Sequence, residues 1–128
     1  MSLRSPLSRV LGLGSAKEGA AHWWDQRVSA VAVAVLGLWF VFSLVTLPDL
    51  SHATVVAFAG SPMHAVLLAL FVAVTAWHSA LGVQVVVEDY VHEAAAKVVL
   101  LLVVKFVHAL AGAAGVFAAL KLGFGVDA

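Results

Sequence analysis

The sequence predicts an all-α membrane protein with three transmembrane helices. Of its 128 residues, 63% are hydrophobic and only 11% are charged, against about 25% charged in soluble domains. The apolar residues gather into three runs, each long enough to cross roughly 30 Å of hydrocarbon. Polar or proline-bearing clusters separate these runs, at Pro48-Asp49, at Pro62 and at Glu88-Asp89-Tyr90. A chain this short has no core large enough to hide so much apolar surface, so its solvent is lipid.

Residues 1–27 form the polar segment. Arg4, Arg9, Lys17 and Arg27 are four of the seven basic residues. Ser, Arg, Gly and Lys interrupt any apolar stretch there, so no secretory signal is predicted, and the segment reads as a retained cytoplasmic one. A mitochondrial-type presequence is the alternative. The first span is expected at 28–47, ended by Pro48-Asp49. A polar loop, Asp49 to Pro62, follows with no Lys or Arg. The second span is expected at 63–87, with Pro62 at a first-turn position where its missing N–H costs nothing. A charged connection, Glu88 to Lys97, makes the second and third spans antiparallel neighbours. The third span is expected at 94–122, before a tail at 123–128.

The basic residues orient the chain. They put the N-terminus and the 88–97 connection in the cytoplasm, and the first loop and the C-terminus on the periplasmic side. Small residues recur in all three spans, among them Ser29, Gly37, Ala69, Gly82, Gly112 and Gly115. They let helices approach closely, both within this chain and toward partners in the bilayer. The formal net charge is zero, which gives no electrostatic basis for nucleic-acid binding. The chain has no cysteine. That excludes disulfides, thiolate metal sites and iron–sulfur ligation by its own residues.

The chemistry gathers on the stretch from His78 to Tyr90. His78 falls inside an apolar run, where a polar side chain is costly and usually functional. A neutral imidazole is a normal axial ligand to haem iron, and Gly82, one turn on, leaves room beside the ring for a flat macrocycle. The plainer reading is a histidine hydrogen-bonded to a neighbouring helix. Asp89 follows His78 by eleven positions. At 100° per residue that is about 1100°, close to whole turns, so both share one helix face roughly 16 Å apart. Tyr90 is either an interfacial belt residue or a phenol that donates to a quinone carbonyl, with Asp89 near to handle protons. Glu88 and Glu93 read as solvated loop charges, and His92 as a surface histidine.

His22-Trp23-Trp24-Asp25-Gln26-Arg27 precedes the first span on the same side. The tryptophans read as headgroup anchors. Arg27 either snorkels to the interface or pairs with an anionic group such as a haem propionate. Lys105 and His108 share a face of the third span with no role assigned. A haem with two histidine ligands needs a second imidazole, either His108 or one from another chain.

With these residues in place, the chain resembles the small hydrophobic membrane anchors of bacterial succinate dehydrogenase, respiratory complex II. The motif that carries the likeness is His78, Gly82, Asp89 and Tyr90, read as H-S-A-L-G-V-Q-V-V-V-E-D-Y. His22 and Arg27-Val-Ser-Ala resemble the start of the family's first helix, and the likeness covers roughly Gly12 to Gly125. It implies that His78 is an axial ligand of haem b, metal-binding through the haem iron, with the other histidine from a companion anchor protein. It implies that Tyr90 and Asp89 bind ubiquinone, and that Arg27 and His22 lie near the haem propionates. FAD would reside in a flavoprotein partner and the iron–sulfur clusters in an iron–sulfur protein partner. The expected setting is the bacterial inner membrane, or alternatively the mitochondrial inner membrane.

Two other readings compete. One is a non-redox three-helix scaffold or assembly protein without haem. The other is a small transporter component relaying protons through His78, Lys105 and His108. A relay needs ionisable groups at successive depths, and the outer half of the spans offers only His64.

Overall fold

The computed structural model describes residues 19–125. Most of the expected cytoplasmic segment and the end of the expected tail lie outside the described residues. Helix α1 runs over Gly19–Val45, α2 over His52–Gly60, α3 over Pro62–Tyr90 and α4 over Ala94–Gly123. The three long helices are each long and apolar enough to cross a membrane. A 29-residue helix such as α3 is about 43 Å long. Helices suit this solvent because they satisfy every interior backbone N–H and C=O internally.

Three boundaries differ from the sequence expectation. First, α1 begins at Gly19, ahead of the predicted apolar span, so His22 to Arg27 is helical. Hydropathy marks where hydrocarbon begins, whereas a helix continues into the headgroup layer. Second, the expected polar loop contains α2. Asp49 Oδ1 accepts from the Ser51 amide at 2.8 Å and from Thr54 Oγ1 at 2.7 Å. Ser51 Oγ accepts from the Thr54 amide and caps the helix. The Ser51 and Thr54 hydrogen bonds hold the Asp49 carboxyl below the usual aspartate range. Third, the charged connection shrinks to Val91–Glu93, because both flanking helices extend into it.

The charges of that connection serve the helix ends. Glu93 caps α4 by accepting from the Ala95 and Ala96 amides. The Ala96 and Ala95 donors hold its carboxyl below the usual glutamate range. Lys97 Nζ reaches back 2.9 Å to the Glu88 carbonyl, placing a cation at the negative end of α3. Glu88 accepts from Gln84 one turn earlier at 2.8 Å. Glu88 and Glu93 are solvent-exposed, as expected, and they also serve the helix ends: short turns leave those ends unsatisfied, and the nearest polar side chains satisfy them.

Helix α3 is the middle of the layer. It packs on α1 along one side and on α4 along the other, and α1 and α4 are not neighbours. The α3–α4 seam is antiparallel and built on small residues. A Cβ on Gly112 would sit 3.1 Å from Ala76 Cβ, and one on Gly115 would sit 2.7 Å from Val72 Cγ1. Toward the far end, a Cβ on Gly123 would collide with Ala65. Ala65, Ala69, Gly112 and Ala119 are buried along this line. The α1–α3 contact is also antiparallel: Phe40 meets Phe71 at 5.5 Å between ring centroids, and Ser29 meets His78. Large apolar residues such as Leu38, Phe42, Phe106 and Leu110 face outward, as lipid solvation requires.

Two outcomes follow from this packing. Gly115→Leu should force the α3–α4 seam apart and lower stability by about 1–3 kcal/mol, the usual cost of overpacking. Denaturant titration in detergent should show this loss, while Val107→Leu on the exposed face leaves the midpoint unchanged. For α2, the depressed Asp49 pKa means its contribution is complete above the usual aspartate range. It is lost as pH falls through the lower folded value. Amide protection at Ser51 and Thr54 should therefore decline in acid, below about pH 4, and Asp49→Asn should flatten that response.

Candidate functional site

The antiparallel layer brings the start of α1, the end of α3 and the start of α4 to one end. His22, Trp23, Gln26, Arg27 and Ser29 come from α1. His78, Gly82, Asp89 and Tyr90 come from α3.

His78 is half-buried, on the side of α3 that meets α1. Its Nδ1 lies 2.9 Å from Ser29 Oγ. Ser29 is 1% exposed, and its hydroxyl also lies 2.7 Å from the Asp25 carbonyl and 3.2 Å from that of Gln26. Just beyond His78 toward the end of the layer, α1 and α3 enclose a cleft of about 410 Å³. Its walls are His22, Trp23, Gln26, Arg27, Gly82 and Val85. The Arg27 guanidinium stacks over the Trp23 ring at 4.4 Å, a cation–π contact that fixes the charge at the cleft wall. Two side-chain atoms here, His22 Nε2 and Gln26 Oε1, are buried without a hydrogen-bond partner among the described residues. Such atoms are costly when left unpaired. A Cβ on Gly82 would make only an ordinary 3.6 Å contact with Gln26 Nε2. Packing among the described residues does not require glycine there.

Asp89 and Tyr90 end α3 and are exposed, Tyr90 to 78%. His92 Nδ1 lies 3.1 Å from the Tyr90 carbonyl, where it donates and helps close the turn. The phenol therefore stands at the rim of the layer, about three turns along α3 from His78.

His108 lies on the other seam. Its Nδ1 donates to the Val104 carbonyl at 2.8 Å, and its Nε2 lies 3.1 Å from Ser79 Oγ. With Nδ1 protonated, the neutral ring accepts the Ser79 proton at Nε2, so both nitrogens are engaged. His78 turns toward α1 and His108 toward α3 from α4, which makes His108 a poor second ligand for a group held by His78. Lys105 and His108 border an apolar groove of about 420 Å³ between α3 and α4, lined largely by alanine and glycine. At the opposite end of the layer, His64 stacks on Phe58 at 4.2 Å and donates from Nδ1 to the Phe58 carbonyl at 3.0 Å. It pins α2 to α3.

Sequence reasoning missed two residues here. Gln26 was only part of an interfacial cluster, and Ser29 only a small packing residue. The available signal for Ser29 was a hydroxyl just inside the start of an apolar span. What it faces depends on the register of α1 against α3, which no spacing within one helix encodes.

Three helices long and apolar enough to cross a membrane, with a histidine inside one of them near a polar cleft, define a helical integral membrane protein. The family model described as succinate dehydrogenase/fumarate reductase transmembrane subunit matches residues 1–113. The chain therefore belongs to the family of succinate dehydrogenase/fumarate reductase transmembrane subunits. It is 36% identical, over 94% of its length and 93% of the relative's, to the succinate dehydrogenase hydrophobic membrane anchor subunit of Paracoccus denitrificans. It is 32% identical to the protein of that name in Rickettsia typhi, over 71% of this chain and 73% of the relative. The succinate dehydrogenase membrane anchor subunit of Reclinomonas americana is 28% identical over 71% of this chain and 78% of that one. No solved structure matches the chain. As an anchor of this family, it is an integral membrane component of an enzyme complex and associates with catalytic subunits.

Proposed function

We propose that this chain anchors a succinate:quinone oxidoreductase, holds one side of a b-type haem, and forms part of a ubiquinone site. Electrons from succinate would reach the quinone pool at this end of the layer. The observation that carries the reading is His78, half-buried at membrane depth and held through Nδ1 beside the cleft of Arg27, His22 and Gln26.

The residues fit a haem. Its iron would take a neutral imidazole as a ligand, and His78 keeps Nε2 for that purpose. Arg27 supplies a fixed cation for a propionate, and His22 Nε2, which has no partner among the described residues, would donate to one. A Cβ at Gly82 would make only ordinary contact with the described residues, so they do not require glycine there. A bound haem supplies a one-electron store between the iron–sulfur clusters and quinone. The other roles are the chain's own: His78 holds iron, Arg27 and His22 orient propionates, and the three spans exclude water.

Tyr90 would donate a hydrogen bond from its phenol to a quinone carbonyl, and Asp89 would pass protons from the aqueous face to the reduced oxygens. Their exposure in this chain suits residues covered by other chains of the complex. These are a companion anchor protein with the second axial histidine, an iron–sulfur protein carrying the clusters, and a flavoprotein carrying FAD. This end faces the cytoplasm of a bacterial inner membrane in this reading. The expected spans, cytoplasmic segment and tail stand as its topology.

A reduced-minus-oxidised visible spectrum of the complex, purified mildly from its native membrane with its components identified, tests the reading. A b-type haem with a flavoprotein and an iron–sulfur protein supports it. Absence of both haem and partners returns the chain to a non-redox scaffold. In the complex, His78→Ala should remove or perturb the haem while all three spans insert; an unchanged low-spin haem spectrum sinks the ligand assignment. Tyr90→Phe should impair quinone reduction more than electron transfer to an artificial acceptor. Equal loss of both activities makes Tyr90 structural.

A further inference from the structure

The Ser29 hydroxyl has a single proton and three neighbours within reach. They are the Asp25 carbonyl at 2.7 Å, the Gln26 carbonyl at 3.2 Å and His78 Nδ1 at 2.9 Å. Carbonyl oxygens only accept, so an oxygen pair at the Asp25 distance is attractive only with a proton between them. Ser29 therefore gives its hydrogen to Asp25, in the direction shared with Gln26. Toward His78 it has only lone pairs to offer. Nδ1 must then carry the ring proton and donate it to Oγ, and the neutral ring is left with its lone pair on Nε2. The opposite tautomer would set two acceptors face to face at 2.9 Å, in surroundings where Ser29 is 1% exposed and no water replaces the lost bond.

The arrangement is rigid. Ser29 sits on the same helix as the carbonyls that hold its proton, and the α1–α3 contact fixes its distance from His78. A hydrogen bond at the far nitrogen of a ligating imidazole fixes its tautomer and orientation and raises its basicity. A more basic imidazole favours the ferric over the ferrous iron.

We propose that Ser29 is a positioning residue: its hydroxyl, clamped by the Asp25 carbonyl, sets the Nδ1–H tautomer of His78 and so tunes the affinity and potential of the group bound at Nε2. This inference rests on His78 being the haem ligand.

The test uses the complete purified complex, with haem per flavin, a redox titration of the haem and the ferric haem electron paramagnetic resonance spectrum as readouts. Ser29→Ala removes one oxygen and suits a helix. It should weaken haem retention roughly tenfold, the lower end of the range for losing such a partner. The haem potential should also move in the positive direction. Ser29→Thr, which keeps the hydroxyl, should restore both. The pair Ser29→Thr and Ser29→Val has nearly equal shape, so it separates the hydroxyl from packing even where Ser29→Ala fails to assemble. Loss in valine with retention in threonine supports the proposal. Equal haem content, potential and resonance spectrum in Thr and Val, or parental values in Ser29→Ala, overturn it. His78→Ala in parallel keeps the two readings apart. If it loses haem while the Ser29 variants match the parent, only the role of Ser29 fails. If it keeps parental haem, the ligand assignment itself fails and takes this inference with it.

Discussion

The close approach of α4 to α3 is the constraint on which the rest of the layer depends. Lipid offers no hydrophobic drive to bring two apolar helices together, so contact must come from packing and the few polar bonds between them. Gly112 against Ala76 and Gly115 against Val72 leave no room for a side chain, and Ala69 and Ala119 are buried along the same line. Once α4 is seated there, Ser79 meets His108 and Lys97 reaches the end of α3. A separate face of α3, carrying Phe71, His78 and Gly82, is left for α1. An open layer follows, in which α3 has neighbours on both sides and its end carries the polar residues.

That end differs from the rest of the chain in what its polar atoms do. At the far end, Asp49, Ser51, Thr54 and His64 are occupied in shaping α2 and holding it to α3. Around His78 the polar groups are not all consumed. Ser29 takes Nδ1 but not Nε2, Arg27 is held over Trp23, and His22 Nε2 and Gln26 Oε1 are buried without partners among the described residues. The far end closes its own hydrogen bonds, whereas the end around His78 leaves some unmade among the described residues. Family membership gives this contrast its setting, because the relatives are anchors of a larger enzyme, and an anchor by itself has surfaces that await other chains.

The two intramembrane histidines show how much local sequence reveals. His78 and His108 both fall in apolar spans, and both are candidates for a ligand by depth alone. Helix spacing places Lys105 and His108 on one face and His78 in line with Asp89. It does not show that His108 is closed at both nitrogens by Val104 and Ser79, while His78 is held at one. Each of those bonds except the one to Val104 crosses between helices.

Sequence by itself determined the class of solvent, the number of spans and the principal candidate residues. These follow from the length of the apolar runs, from prolines at Pro48 and Pro62, and from a histidine placed where hydration is lost. The α1 helix reaches beyond the expected span, because hydropathy reports lipid and not backbone hydrogen bonding. Tertiary structure decided what needs two helices at once: the glycine seam, the pairing of His22 and Arg27 with Gly82 across one cleft, and the choice of Ser29 as the partner of His78. Periodicity within a helix tells which residues share a face. Which face meets which is set by the depth and register at which two helices fit, and here Gly115, Gly112 and Ser29 set it through contacts that their own neighbours in sequence do not contain.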